Sequence, residues 1–242
     1  MNEHPLPDTR AARSAILGLL RGGTPPVPRP RPDLAPYHAG PYGRGTQGQR
    51  PDPATLVAGF EAAARGWRAE VRHAQPETWP AVLREALDAH GCRRVAIGTA
   101  PRLQAGLAEA LQGLHTEVFD RPLDAWKTTL FDAVDAGITD TVAGIADTGT
   151  LVLRTGPHEP RTLSLVPQVH LALLRTSTLY AGLPAAFQAL APEADMPSNL
   201  LLVTGPSKTA DIQQVLAYGA HGPKVLVVVL VHDTTPPAGE PA

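Results

Sequence analysis

Residues 77–119, ETWPAVLREALDAHGCRRVAIGTAPRLQAGLAEALQGLHTEVF, decide the fold class. Trp79, Val82, Leu83, Ala86 and Leu87 recur at helical spacing and His90-Gly91 closes the run, so Glu77 to Ala89 reads as a helix. Val95-Ala96-Ile97-Gly98 follows as a buried strand. Leu103 to Leu114 returns to the helical period, and Glu117-Val118-Phe119 to a strand. Short apolar strands alternating with amphipathic helices predict an α/β fold with a mostly parallel sheet flanked by helices.

Towards the amino terminus, Ala69 to Ala74 reads as a strand and Ala54 to Arg68 as a helix. Pro53 sits in its first turn, and Leu56, Phe60 and Trp67 supply its apolar face. Residues 23–52 are a linker, stiffened by Pro25, Pro26, Pro28, Pro30, Pro32 and Pro36 and continued by several glycines. Before it, Thr9 to Leu20 carries Ile16, Leu17, Leu19 and Leu20 on an Ala and Arg background. Residues 1–22 therefore read as a helical arm, free to fold back or to dock on a second copy of the chain as a homo-oligomer.

Towards the carboxyl terminus the texture changes at Thr139. VAGIADTGTLVLRTG (142–156) and RTLSLVPQVHLALL (161–174) leave little room for helices, which predicts closely spaced strands in an antiparallel or mixed insertion. Phe187 to Leu190 reads as part of a short helix. Val225 to Val231 closes the fold as a central, wholly apolar strand, which puts the main domain at 53–232 and a disordered tail at 233–242.

Composition narrows the function classes. A formal net charge of -2 and 5% aromatic residues give no electrostatic or stacking case for a nucleic-acid partner. A single cysteine, Cys92, excludes an internal disulfide and a cysteine-ligated zinc or iron–sulfur centre held by this chain alone. With no HxxxH-type pair among nine histidines, no intrinsic metal site is expected. No apolar run reaches the roughly 20 residues of a membrane span, and MNEHPLPDTR lacks a signal-peptide core, so a cytoplasmic location is the expectation.

The segment Val203–Ile212, VTGPSKTADI, reads as a strand delivering a loop to a helix start. Unpaired amides and the helix dipole favour an anion there. Gly205, Ser207, Lys208 and Thr209 are the candidate ligand-binding residues, with Ser207 as N-cap. The glycine-x4-glycine-lysine frame of a phosphate loop is absent, and Pro206 removes one donor.

Asp147-Thr148-Gly149-Thr150 is a second candidate, a tight turn in which Gly149 can take positive φ and the hydroxyls can hold a ligand. His170, at a strand, and His221, at a helix-to-strand turn, complete the ligand-binding set. An aspartic-protease reading of Asp-Thr-Gly fails for want of a second copy. A serine-hydrolase reading fails because Thr162-Leu163-Ser164-Leu165 lacks a nucleophile elbow.

Taken in order, Ala146-Asp147-Thr148-Gly149-Thr150, Ser164-Leu165-Val166-Pro167-Gln168-Val169-His170, Thr204 to Ile212 and Gly219-Ala220-His221-Gly222-Pro223 resemble the LUD-domain family, over about Ala54 to Val231. The resemblance implies a fold similar to the NagB/RpiA/CoA-transferase-like group. It also implies an accessory role in bacterial oxidation of L-lactate to pyruvate, with partner subunits carrying the iron–sulfur clusters and this chain binding a small anion or nucleotide and no redox cofactor. Two alternatives stay open: a CoA-transferase-like acyl transfer with Glu159 as nucleophile and His170 as a further catalytic candidate, or a non-catalytic scaffold.

Overall fold

The computed structural model describes residues 10–22, 51–190, 197, 199–210 and 216–233. The chain divides into two compact units, Met1–Ala35 and Pro36–Ala242. In the first, α1 (Arg10–Gly22) has no buried residue, and Ile16, Leu19 and Leu20 are exposed. The linker expected at 23–52 lies outside the described residues except for its last two.

The second unit is built on six parallel strands in the order β1-β12-β7-β4-β2-β3. They are β1 (Glu70–Ala74), β2 (Arg94–Ile97), β3 (His115–Val118), β4 (Ala136–Asp140), β7 (Val169–Arg175) and β12 (Val225–Val231). Helices α2 (Pro53–Gly66), α3 (Trp79–Ala89), α4 (Pro101–Ala110) and α5 (Lys127–Asp132) connect or flank them. The Asp52 carboxylate caps α2 by accepting from the Thr55 amide, and Pro53 lies in the first turn, where its missing N–H costs nothing.

Alternation along the strands sends residues to two cores. Leu171, Leu173, Val227 and Val229 pack with Leu83 and Leu87 of α3 and Leu103 and Leu107 of α4. Ala172, Leu174, Val228 and Leu230 pack with Leu56, Phe60 and Ala64 of α2 on the opposite face. Each fully buried aliphatic side chain contributes about 1.5–3 kcal/mol. Cys92 is buried in the first core, and its thiol is pushed up to about 11 by burial and by Asp135, which leaves it an inert packing group.

A second sheet of four strands, in the order β8-β5-β6-β9, is the expected mixed insertion. Its strands are β5 (Ala143–Ile145), β6 (Thr150–Thr155), β8 (Leu179–Tyr180) and β9 (Asn199–Val203); β5–β6 and β6–β9 pair antiparallel, β5–β8 parallel. Phe187 to Leu190 falls inside α7 (Leu183–Leu190).

Three expectations change. The stretch 161–174 does not belong to the insertion: Thr162–Leu165 forms a short helix, α6, and Val169–Arg175 is β7, paired on both sides inside the parallel sheet. A run buried on both faces loses the alternation that marks an insertion strand. β4 begins at Ala136, three residues before the change of texture at Thr139, and it too is central. Lys208–Ala210 is a strand, β10, paired antiparallel with β11 (Leu216–Tyr218), so Ser207 does not cap a helix. The helix expected through residues 211–215 lies outside the described residues, as does the tail beyond Asp233. Asp233 itself is held, accepting bonds from the Ser177 amide and hydroxyl at 2.8 and 2.7 Å.

The packing of α6 on β4 leaves no room at Gly137, where an added Cβ would stand 2.0 Å from the Leu163 carbonyl oxygen. Gly137→Ala is expected to cost about 2–3 kcal/mol through backbone displacement, whereas Gly156→Ala, facing open space, should stay within about 0.5 kcal/mol of the wild type. Urea unfolding of the two variants checks this; equal midpoints would contradict the packing.

Candidate functional site

The two turns singled out by sequence meet. The Thr148 hydroxyl lies 2.7 Å from that of Thr150, and Thr150 lies 2.7 Å from Thr204, so a chain of three hydroxyls joins the β5–β6 turn to the loop after β9. Thr150, the middle member, is buried, while Thr148 and Thr204 are exposed, so both ends of the chain reach the surface. The carboxyl end of α2 holds both turns. Gly149 has φ +64 and its missing Cβ would strike the backbone of Ala63 and Ala64; Gly205 has φ +78 and would strike Trp67. Only glycine meets both demands, a left-handed backbone and contact distance to another segment's main chain.

The loop after Gly205 feeds the β10–β11 ribbon. Ser207 accepts from the Gly219 amide and donates its own amide to Pro223, which closes the base of the ribbon. Lys208 is exposed and pairs directly across from Tyr218. Tyr218 in turn carries the Arg68 guanidinium, 4.8 Å from its ring centre. Thr209 follows Lys208 in β10, and His221 is exposed beyond β11, next to Gly222, where an added Cβ would stand 3.2 Å from that of Ser207.

Asp147 stands at the exposed start of the β5–β6 turn, with its amide bonded to the Ala181 carbonyl. Both turns belong to the second sheet and the ribbon, away from the carboxyl ends of the parallel strands where α/β ligands usually lie.

The remaining candidates sit elsewhere. His170 is 1% exposed on the face of β7, and its Nε2 is 2.8 Å from the Thr139 hydroxyl of β4. Burial lowers its pKa to about 4, so at neutral pH the ring is uncharged and offers no cation to an anion. Glu159 lies in the Gly156–Pro160 loop, where its Oε1 accepts from the Asp140 amide at 2.7 Å. The neighbouring His158 binds Thr99 twice, through its carbonyl and its ring. Arg175 pairs with Asp140 at 2.9 Å. These bonds tie the carboxyl ends of β2, β4 and β7 together, and Glu159 acts there as a strand-end acceptor.

Sequence reading missed Thr204 as a member of the hydroxyl chain, Thr139 as the partner of His170, and Arg68 with Tyr218. Thr204 was legible beside Gly205. The others depend on strand pairing that no local signal carries.

Among the described residues no group of three His, Cys, Asp or Glu side chains is placed to hold a metal ion, and no helix is long and apolar enough to cross a membrane.

The LUD domain matches residues 57–231, and the chain belongs to that family. An uncharacterized protein of Neisseria meningitidis is 42% identical over 71% of this chain and 75% of its own length. Proteins named lactate utilization protein C, from Halalkalibacterium halodurans and Anoxybacillus flavithermus, are 29% and 30% identical over 68% and 62% of this chain and 74% and 69% of theirs. The crystal structure of a DUF162 family protein from Deinococcus radiodurans shares the fold, with a TM-score of 0.59 and 24% identity over 74% of this chain and 98% of that one. The named relatives support a role in lactate utilization in general.

His170 makes stability depend on pH. Its pKa is about 4 in the folded chain against 6.5 for the free side chain, so the unfolded state binds the additional proton as the solution is acidified. Stability is full above pH 6.5 and falls between 6.5 and 4, by about 3 kcal/mol in total. His170→Gln should flatten that segment of a pH–stability profile measured by urea unfolding; an unchanged slope would contradict the buried neutral ring.

Proposed function

We propose that this chain is an accessory, non-redox subunit of a cytoplasmic system oxidising L-lactate to pyruvate, and that it binds a small anion at the joined turns. The observation that carries the binding site is the Thr148–Thr150–Thr204 hydroxyl chain, which unites the Asp147–Thr150 turn with the Gly205–Lys208 loop. Hydroxyls in series donate to an anion at one end while each is oriented by the next, and Lys208 beyond the loop adds a positive charge. The names of relatives support the choice of system, and a single cysteine fits a reading in which partner subunits carry the iron–sulfur chemistry.

The acyl-transfer alternative asks Glu159 to act as nucleophile, yet its Oε1 is engaged by the Asp140 amide. A scaffold that organises its partners through a bound anion fits the same geometry as the accessory reading.

The expected outcome is that the purified chain alone neither oxidises lactate nor transfers an acyl group, while omitting it from a reconstituted set of partner subunits removes lactate-dependent reduction of an artificial acceptor. Lys208→Ala should weaken anion binding by about 1–2 kcal/mol without loss of fold, as removal of one charge-assisted contact does. Lactate oxidation by the chain alone, or full activity without it, would contradict the proposal; calorimetry reads the Lys208 effect.

A further inference from the structure

Arg68 is the single described non-glycine residue with positive φ, at 67°. It follows the C-cap of α2, Trp67, and the Ala69 amide closes the helix by bonding back to the Ala64 carbonyl at 3.0 Å. A glycine is the usual occupant of that left-handed position, because a Cβ there costs about 1 kcal/mol. Glycine stands two residues earlier, at Gly66, inside the helix end. The strained position therefore carries a long cation where none is needed to end the helix.

Where that cation goes is the second observation. The Arg68 guanidinium covers Tyr218, and Tyr218 is the direct cross-strand partner of Lys208. Cross-strand partners project on the same side of a ribbon, so the two positive side chains share one surface. A guanidinium stacked on a ring keeps its in-plane N–H donors free for an acceptor. No carboxylate among the described residues pairs with either cation. Gly205, one residue after the last hydroxyl of the chain, packs on Trp67, the neighbour of Arg68. Two cations on one surface, with no paired carboxylate among the described residues, lower the cost of binding a doubly charged anion.

We propose that Arg68 and Lys208 clamp a phosphate dianion beside the Thr204 loop, with Tyr218 as the platform that fixes Arg68. This rests on the anion-binding reading of that loop and narrows it: a phosphate near neutral pH carries about two charges, which two cations match, whereas lactate and pyruvate carry one. Free phosphate and the phosphate of a nucleotide share this chemistry.

The test is isothermal titration of the full chain with inorganic phosphate, AMP and L-lactate, repeated with Arg68→Gly and Arg68→Lys. Arg68→Gly keeps the left-handed backbone, so the fold should survive with an unchanged or raised melting temperature. Phosphate affinity in that variant should fall roughly tenfold or more, and Arg68→Lys should recover part of it. In the wild type, phosphate should bind at least roughly tenfold more tightly than lactate. Phosphate binding undiminished in Arg68→Gly would overturn the clamp and leave Arg68 as a helix terminator. Lactate binding without phosphate binding would overturn the dianion assignment while sparing the anion loop, and binding of none of the three would overturn both. Tight AMP binding with weak phosphate binding would support the clamp as part of a nucleotide site only if Arg68→Gly abolishes it.

Discussion

Seven consecutive aliphatic side chains, Val225 to Val231, have to leave water on both faces of one strand. Parallel pairing with β7 on one side and β1 on the other satisfies that constraint, because it saturates the backbone of β12 and leaves both faces for side chains. One face then calls for α3 and α4, the other for α2 and the second sheet. With α2 fixed against β12 and β7, its carboxyl end becomes a rigid edge. The Asp147–Thr150 turn and the Thr204–Lys208 loop both rest on that edge through glycines that admit no side chain.

The consequence is a division between polar positions that hold the fold and polar positions left exposed around the joined turns. His170, although polar and part of a family-like motif, is consumed by packing and by Thr139. Glu159 and Arg175 knit the carboxyl ends of the parallel strands. Thr148, Thr204, Lys208 and Arg68 are exposed: the two threonines flank the buried Thr150, and Arg68 lies over Tyr218, the cross-strand partner of Lys208. Together with Thr150 and Tyr218 they come from four separate stretches of chain.

Much of the scaffold was legible in local patterns. Residues 77–119 carried clear helical and strand periods, and Val225–Val231 was read as a central strand with the bounds it has. β7 was misplaced because its neighbours in sequence are turn-rich, and burial on both faces erases the alternation that separates a sheet's centre from its insertions. Ser207–Thr209 looked like a helix start because serine and threonine favour both caps and ribbon turns; pairing with Leu216–Tyr218 is a non-local choice. Of the site, the Asp-Thr-Gly-Thr turn and the Gly-Pro-Ser-Lys loop were visible. Their union and the place of Arg68 depend on packing against α2.

The central claim is that the two turns act as one unit through their hydroxyls, and a double-mutant cycle on Thr150→Val and Thr204→Val, read by urea unfolding, tests it most directly. The two losses should not be additive, with a coupling of about 0.5–1.5 kcal/mol, because either substitution already breaks the shared bond. Strict additivity would mean that the Thr150 and Thr204 hydroxyls do not communicate, and would contradict a joined site.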